Sequence, residues 1–395
     1  MRVLLVAHQY WPVPGSASQV LGGLVARLRE RGHEVVVLTS RPDARTGREL
    51  ERLGPQGERV LFVGPPEAGV SAPRRVTNLA SFAAGVRRAA RTLQYDVVVS
   101  DPPPTAATAA LAAASSRKVP FVYYLADSWG GAARGSRRPW IRAVSPVISA
   151  VEDRALTRAR LVIAATDGMR EVAERAGAHE IHVVRNGVPT DVFSPEGDEW
   201  WPHDDRRPFF LYAGNAGVVH GAEVFCAAAE RLWREGADFD VVYMGYGSDS
   251  PLIDAAAERW PERLVQVGLR PPLEVAAASR TAIGALTSLR DVPQYADARP
   301  IKAMSGLACG TPLVYAGRGE FADEVRAHGL GFVSSWDVDE VVGTLRAALD
   351  AAKRSEKVAE MRARCAAYAL ENFDDRISSS RAADIVERAA VEQRG

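Results

Sequence analysis

Two stretches of this chain follow one plan, in which an apolar strand leads through a glycine-bearing loop into an amphipathic helix. In the first, the strand of residues 3–7 leads to Gly15. In the second, the strand of residues 209–212 leads to Gly214. Because glycine has no side chain, such loops bring backbone N–H groups and the positive end of a helix dipole close to a bound anion. Two such stretches, each opening its own series of strands and helices, predict a pair of Rossmann-like domains that face a central cleft.

Length and composition permit two domains and exclude some function classes. The 395 residues suffice for two cores of ordinary size. A formal net charge of zero argues against a nucleic-acid binder, which needs a basic surface. The apolar stretch of residues 3–7 is too short for a membrane span or a secretory signal, so we expect a cytoplasmic protein. Cys226, Cys309 and Cys365 lie far apart and are expected to be free thiols.

The order of apolar runs predicts strands alternating with helices in an α/β protein. Residues 1–188 are predicted to form the first Rossmann-like domain and residues 208–375 the second. Residues 189–207 are rich in Gly, Pro and Asp and are predicted to form a hinge. The helix predicted at residues 376–395 could cross back to the first domain. Continuous apolar strands indicate parallel sheets that helices cover on both faces. Within the polar segment before the second helix, only residues 59–63 resemble a strand.

Open parallel sheets bind ligands at the carboxyl ends of their strands, which makes the loops there candidate sites. In the first half, these loops contain His8, Ser100, Asp127 and Trp129. The carboxylate of Asp127 could act as a base or orient an acceptor hydroxyl, and the alternative is that it caps a helix.

Two features of the second half indicate an anion site. Gly245 and Gly247 directly follow a strand and would let a ligand lie against the backbone, although a plain tight turn is the alternative. Lys302 is one of only four lysines in the chain and lies just inside a predicted helix start. Its ammonium would add a full charge to the helix dipole and attract phosphate oxygens. The alternative is a solvated lysine on an exposed turn.

Nearly the full length resembles the retaining glycosyltransferases of family 4, which have the GT-B fold, and within them the branch that transfers amino or deoxy sugars. The matching segments of the first half are, in order, HQYWPVPGSAS, YDVVVSDPPP, VYYLADSW, RALTRARLVIAATDGMRE and VVRNGVPTDVFSP. Those of the second half are YAGNAGVVHGAEVFCAAAERL, YMGYGSDSPL and RPIKAMSGLACGTPLVYAG. The ordered series is more specific than any one segment.

The resemblance implies that the second domain holds a nucleotide diphosphate sugar and the first a small-molecule acceptor. The implied donor-binding residues are Gly15, Gly214, Asn215, His220, Gly245, Gly247, Leu252, Arg270, Asp297, Lys302, Ala303, Met304 and Ser305. The implied acceptor-binding residues are Tyr10, Trp11, Ser100 and Trp129, and the implied catalytic residues are Asp127 and His8. No Asp-x-Asp pair directly follows a predicted strand, so we expect neither a metal nor another cofactor.

Two parts of the donor site depart from the family pattern. Many members have Arg and Lys in the diphosphate loop where this chain has Asn215 and His220, and we expect His220 to be cationic in only part of the population near pH 7. The family's pair of glutamates falls on Asp297 and Ser305, and a serine is too short and uncharged to accept hydrogen bonds from ribose as well as a carboxylate does. The donor site could be rebuilt, the donor could be unusual, or activity could be lost.

Three alternative functions remain open from the sequence. The acceptor could be a membrane lipid carrier, since residues 133–144 contain several arginines and Trp140, but an ordinary charged helix start is favoured. The chain could instead be a nucleotide-sugar-binding pseudoenzyme that partners an active subunit. A sugar-nucleotide epimerase of related fold fits the ordered motifs less well.

Overall fold

The computed structural model describes residues 1–13, 15–42, 51–65, 72–135, 139–217, 219–247, 249–290 and 298–392. The chain divides into two compact units. The first unit combines Met1–Asn186 with Arg376–Gly395, and the second is Gly187–Asp375.

A sheet of eight strands forms the centre of the first unit within the described residues. The strands are β1 (Arg2–Val6), β2 (Glu34–Thr39), β3 (Glu51–Leu53), β4 (Arg59–Phe62), β5 (Val97–Ser100), β6 (Phe121–Leu125), β7 (Leu161–Ala164) and β8 (Ile181–Val183). Their order is β3-β4-β2-β1-β5-β6-β7-β8, and only β3 runs antiparallel to its neighbour. The prediction of a single strand in this polar segment missed β3, because it lies at the sheet edge and lacks an apolar run.

Helices cover both faces of this sheet. They are α1 (Ser16–Glu30), α2 (Ala72–Ala90), α3 (Pro104–Arg117), α4 (Trp129–Arg134), α5 (Pro139–Arg158) and α6 (Asp167–Ala176). Alternate residues of a strand point to opposite faces, so Val3 and Leu5 pack with α1 while Leu4 and Val6 pack with α2, α3 and α5. This arrangement brings the carboxyl ends of β1, β5 and β6 side by side.

The second unit repeats the architecture with a parallel sheet. Its strands are β9 (Phe209–Ala213), β10 (Asp240–Met244), β11 (Leu264–Gln266), β12 (Gly284–Ser288), β13 (Leu313–Ala316) and β14 (Gly331–Ser334). Its helices are α7 (Glu223–Arg234), α8 (Ser250–Arg259), α9 (Pro272–Thr281), α10 (Ile301–Ala308), α11 (Glu320–Ala327), α12 (Val338–Ala352) and α13 (Ser355–Asn372). The strand order is β11-β10-β9-β12-β13-β14. The predicted class of two α/β units with parallel sheets is confirmed.

The segment predicted to be a hinge, residues 189–207, packs on the second unit. The guanidinium of Arg280 donates hydrogen bonds to the carbonyl oxygens of Ser194 at 2.9 Å and Asp198 at 2.8 Å. Trp200 packs edge-on against the ring of Phe209. These contacts explain how a segment without helices or strands keeps a defined course.

The last helix, α14 (Asp375–Glu392), lies against the first unit. Its residues Ala383, Val386 and Ala389 are buried in the core on the α1 side of the sheet. On its surface, Arg31 pairs with Asp384 at 2.6 Å. Among the described residues, no helix is both long and apolar enough to cross a membrane.

Candidate functional site

The second unit has two glycine loops, one after β9 that contains Gly214 and one after β10 that contains Gly245 and Gly247. Backbone hydrogen bonds join these two loops. Gly214, after β9, donates its N–H to the carbonyl oxygen of Met244 at 2.8 Å. Asp249, after β10, donates its N–H to the carbonyl oxygen of Ala216 at 2.9 Å. The loops therefore form one continuous backbone surface at the carboxyl end of two neighbouring strands, the position where parallel sheets bind ligands.

Gly245 and Gly247 are required because these loops approach so closely. A Cβ at Gly245 would lie 2.0 Å from the carbonyl oxygen of Gly214. A Cβ at Gly247 would lie 2.2 Å from the carbonyl oxygen of Ala216. Both contacts are shorter than any real Cβ contact, so a side chain at either position would push the loops apart.

Lys302 reaches from the first turn of α10 to the glycine loop. Its Nζ donates hydrogen bonds to Tyr212 Oη at 2.7 Å and to the carbonyl oxygen of Asn215 at 2.8 Å. The same nitrogen lies 4.2 Å from the centroid of the Tyr212 ring. Burial lowers the pKa of Lys302 to about 7, so its ammonium is partly deprotonated at neutral pH. The alternative of a solvated lysine is therefore wrong.

The carboxyl ends of β1, β5 and β6 bring His8, Asp101 and Asp127 to one edge of the first sheet. Asp101 is 5% exposed, and its carboxylate accepts a hydrogen bond from the backbone N–H of His8. Burial raises the pKa of Asp101 well above its usual value. Burial, followed by the nearby charge of Glu152, raises the pKa of Asp127 to about 6. Asp127 is thus mostly ionised at pH 7 and gains a proton in mildly acidic solution.

The family model described as Glycosyltransferase Family 4 matches residues 17–192. A D-inositol 3-phosphate glycosyltransferase of Mycobacterium tuberculosis is 28% identical over all of this chain and 85% of its own length. The chain is a glycosyltransferase whose residues 17–192 match family 4.

Solved structures share the fold of this glycosyltransferase. Sucrose-phosphate synthase from Thermosynechococcus elongatus has a TM-score of 0.78 at 14% identity and covers 99% of both chains. Anabaena HepE, solved in complex with UDP-glucose, has a TM-score of 0.69 at 17% identity and covers 98% of this chain and 100% of its own. WaaG, a glycosyltransferase of lipopolysaccharide biosynthesis, also has a TM-score of 0.69 at 17% identity, covering 97% and 99%. These similarities place the glycosyltransferase in the GT-B fold class.

The prediction that His220 is cationic in part of the population near pH 7 is wrong. Its Nδ1 lies 3.4 Å from the carbonyl oxygen of Ser288. Burial, and secondarily the charge of Lys302, lower the pKa of His220 to about 3. The imidazole is therefore neutral at pH 7 and adds no positive charge to the loop after β9.

Ala303 and Met304 are not donor contacts in the glycosyltransferase. Both side chains are fully buried in the core that α10 forms with its neighbours. Their backbone N–H groups already donate to the carbonyl oxygen of Pro300, at 2.9 Å and 3.3 Å. Ser305 is also buried, at 6% exposure, and Asp297 lies outside the described residues.

Two residues predicted to contact the acceptor, Tyr10 and Ser100, are instead buried in the core of the first unit. Tyr10 is 2% exposed, and its hydroxyl donates to Glu58 Oε1 at 2.7 Å. Ser100 is fully buried, and its hydroxyl donates to the carbonyl oxygens of Val6 and Asp101. Neither hydroxyl is available to an acceptor, so both assignments are corrected. Both were predicted from position alone, since Ser100 is the last residue of β5 and Tyr10 follows β1.

The other predicted residues of the glycosyltransferase have accessible surface. Trp129 is 41% exposed and Leu252 is 53% exposed, whereas Trp11 is partly buried against the first core. Nothing lies within 4 Å of a Cβ built on Gly15. Arg270 pairs with Glu274 at 3.7 Å on the surface. Their roles toward donor and acceptor stay predictions.

The sequence did not indicate the residues that hold the end of the loop after β9, at Gly221. The guanidinium of Arg290 lies 4.2 Å above the Trp336 ring and pairs with Glu223. Trp336 in turn donates its ring N–H to the carbonyl oxygen of Gly221 at 2.9 Å. A Cβ at Gly221 would lie 2.6 Å from this indole nitrogen, so this glycine is needed for packing.

No group of three or more metal-ligating side chains lies close together in the described part of the glycosyltransferase. The described glycine loops offer backbone N–H groups instead, and Lys302 of α10 contacts one of them. This is a set suited to anions rather than to cations.

Proposed function

We propose that this glycosyltransferase transfers a sugar, with retention of anomeric configuration and without a metal, from a nucleotide diphosphate sugar to a small-molecule acceptor. The observation that carries the proposal is the contact of Lys302 with the glycine loop, described above. The relative named for D-inositol 3-phosphate supports a small polar acceptor, and the fold neighbour solved with UDP-glucose supports the donor class.

The donor would bind through its diphosphate to the second unit. Breaking the anomeric bond leaves negative charge on the departing diphosphate, and positioned N–H groups and cations stabilise that charge. The loop of Gly214, the start of α10 and the ammonium of Lys302 provide such groups at one edge of the sheet. A phosphate near Lys302 would favour its charged form, offsetting the effect of burial.

The acceptor would bind to the first unit near Asp127 and Trp129. A carboxylate with a pKa of about 6 is ionised at pH 7 and can accept a hydrogen bond from an acceptor hydroxyl. The exposed indole of Trp129, two residues further along the chain, offers an apolar face to the ring of an acceptor. Asp127 is not the helix cap considered in the sequence analysis, because Ser128 caps α4 by accepting from the N–H of Gly131.

A transfer assay tests the proposal in three separable parts. The purified chain is incubated with a panel of nucleotide sugars and cyclitol or sugar-phosphate acceptors, and product anomers are assigned by NMR. We expect α-linked products from α-linked donors, at unchanged rate with excess EDTA. An inverted anomer would refute retention, and inhibition by EDTA would refute metal independence. Donor binding without transfer or donor hydrolysis would favour the pseudoenzyme.

A lipid-carrier acceptor is a second candidate because α5 exposes an apolar stripe. Trp140, Val144 and Val147 recur at spacings of four and three residues and are 54%, 43% and 66% exposed. This spacing aligns them along one side of the helix. Arg154, seven residues after Val147, is exposed on the same side of the helix. An apolar stripe beside a cation fits an anionic membrane surface.

Co-sedimentation with vesicles tests the lipid version. If α5 binds membranes, the protein should pellet with phosphatidylglycerol vesicles at low salt and stay in solution with phosphatidylcholine. Changing Trp140, Val144 and Val147 together to serine should abolish pelleting, because the apolar contact is lost. Leu370→Ser removes a similarly exposed residue of α13 and should change nothing. Absence of pelleting by the unmodified protein rules out the membrane candidate.

A further inference from the structure

The carboxylate of Glu152 holds the loop that carries Asp127 and Trp129. Glu152 lies in α5 and is 2% exposed. Its Oε1 accepts the backbone N–H of Trp129 at 2.9 Å. Its Oε2 accepts the hydroxyl of Ser128 at 2.9 Å and the N–H of Gly130 at 3.2 Å. One buried carboxylate thus accepts three hydrogen bonds from three consecutive residues.

This arrangement requires α4 and α5 to approach closely. A Cβ at Gly130 would lie 2.4 Å from Ser149 Oγ and 3.1 Å from Glu152 Oε2. Arg134, at the end of α4, donates to the same Ser149 hydroxyl at 2.6 Å. The short helix is therefore fixed at its first turn by Glu152 and at its last by Ser149.

We propose that Glu152 is a positioning residue for the acceptor, acting through the 127–130 loop rather than by touching substrate. A charged carboxylate is an expensive group to bury, and here its three hydrogen bonds compensate for that burial. Its negative charge also lies near Asp127. The groups that face Asp127 are Asp101 from the end of β5, Tyr123 from β6 and Glu152 from α5. The expected effect of Glu152 on acceptor binding rests on the proposed function. Its role in holding the loop does not depend on that function.

The variant Glu152→Gln tests the inference in the full-length protein. An amide offers one acceptor oxygen and places N–H donors against the N–H groups of the loop. We expect hydrogen exchange of the peptide covering residues 126–131 to accelerate about 10-fold. We expect kcat/KM for the acceptor to fall about 10- to 100-fold, mainly through KM, because the loop loses its geometry. Donor hydrolysis in the absence of acceptor should not change.

The pH profile separates positioning from general structural damage. Removing the charge of Glu152 removes one cause of the raised pKa of Asp127, so the acidic limb of acceptor kcat/KM should move to lower pH. Ser128→Ala removes the hydrogen bonds that the hydroxyl makes with Glu152 and with the N–H of Gly131 but keeps the charge of Glu152, so it should raise KM without moving this limb. Asp153→Asn changes an exposed carboxylate on the same helix and should leave exchange, KM and the pH profile as they were.

Failure of this inference differs from failure of the proposed function. Unchanged exchange in Glu152→Gln, or faster exchange with unchanged acceptor KM, would overturn the positioning role. Absence of sugar transfer by the unmodified protein would instead overturn the proposed function, and the exchange measurement would then decide the loop-holding role alone. If Glu152→Gln does not fold, Ser128→Ala with unchanged exchange and KM overturns the inference.

Discussion

Replacing Lys302 with alanine should weaken nucleotide diphosphate binding by about 1.5–3 kcal/mol, the range for hydrogen bonds to charged groups. This corresponds to an increase in Kd of about 10- to 150-fold. The physical reason is that Lys302 is the cation in contact with Tyr212 and the carbonyl of Asn215, while His220 is neutral. Titration calorimetry with nucleoside diphosphates measures the change. Equal affinity for both proteins would exclude Lys302 from the donor site.

A control variant and the pH dependence of binding test whether the effect comes from the charge of Lys302. Lys353→Ala removes a lysine of the same unit whose side chain is 75% exposed, and it should leave Kd unchanged. Burial lowers the pKa of Lys302 to about 7, so the cation is lost as pH rises through 7 in the free protein. The affinity of the unmodified protein for the diphosphate should therefore fall between pH 7 and pH 9. The affinity of Lys302→Ala should fall less over the same range.

Replacing Gly245 with alanine should both destabilise the protein and abolish tight donor binding. The added Cβ would lie 2.0 Å from the carbonyl oxygen of Gly214, and neither backbone segment can move without breaking the hydrogen bonds between the two loops. Overpacking of this kind costs about 1–3 kcal/mol of unfolding free energy. Urea denaturation measures that loss, and calorimetry at a temperature where the variant is folded measures donor binding.

Gly343→Ala is the matched control for Gly245→Ala. Gly343 lies in the interior of α12, and nothing lies within 4 Å of a Cβ built on it. Alanine is favoured over glycine in helix interiors, so this variant should gain about 0.5–1 kcal/mol. Opposite signs for the two substitutions would show that the effect at Gly245 comes from the loop contact. A Gly245→Ala protein as stable as the unmodified one would contradict the packing described.

Strands buried on both faces could be predicted because they are continuous apolar runs, as in β5 and β13. The edge strand β3 could not, since two of its three residues are exposed and it pairs through the backbone alone. The boundary between α9 and β12 could not be predicted either. Residues up to Thr281 complete α9, and no apolar period distinguishes the end of that helix from the following strand.

Some residues of the candidate site could be predicted from the sequence and others could not. Lys302 could be found from its place at a helix start, whereas the sequence does not show that Tyr10 and Ser100 turn into the core. Glu152 was missed although a signal existed. It falls on the same helical stripe as the buried residues Ser145 and Leu156, and a charged residue among core positions indicates a buried partner. Which partner it meets depends on how α4 packs, which periodicity does not reveal.

The placement of α14 has a consequence for synthesis on the ribosome. The first unit needs Ala383, Val386 and Ala389 to complete its core, although the rest of that unit is translated first. One apolar face of its sheet therefore lacks its final helix throughout translation of Gly187–Asp375. The second unit is continuous and has all of its residues before α14 is made. The unit that is translated earlier is thus the unit that completes its core later.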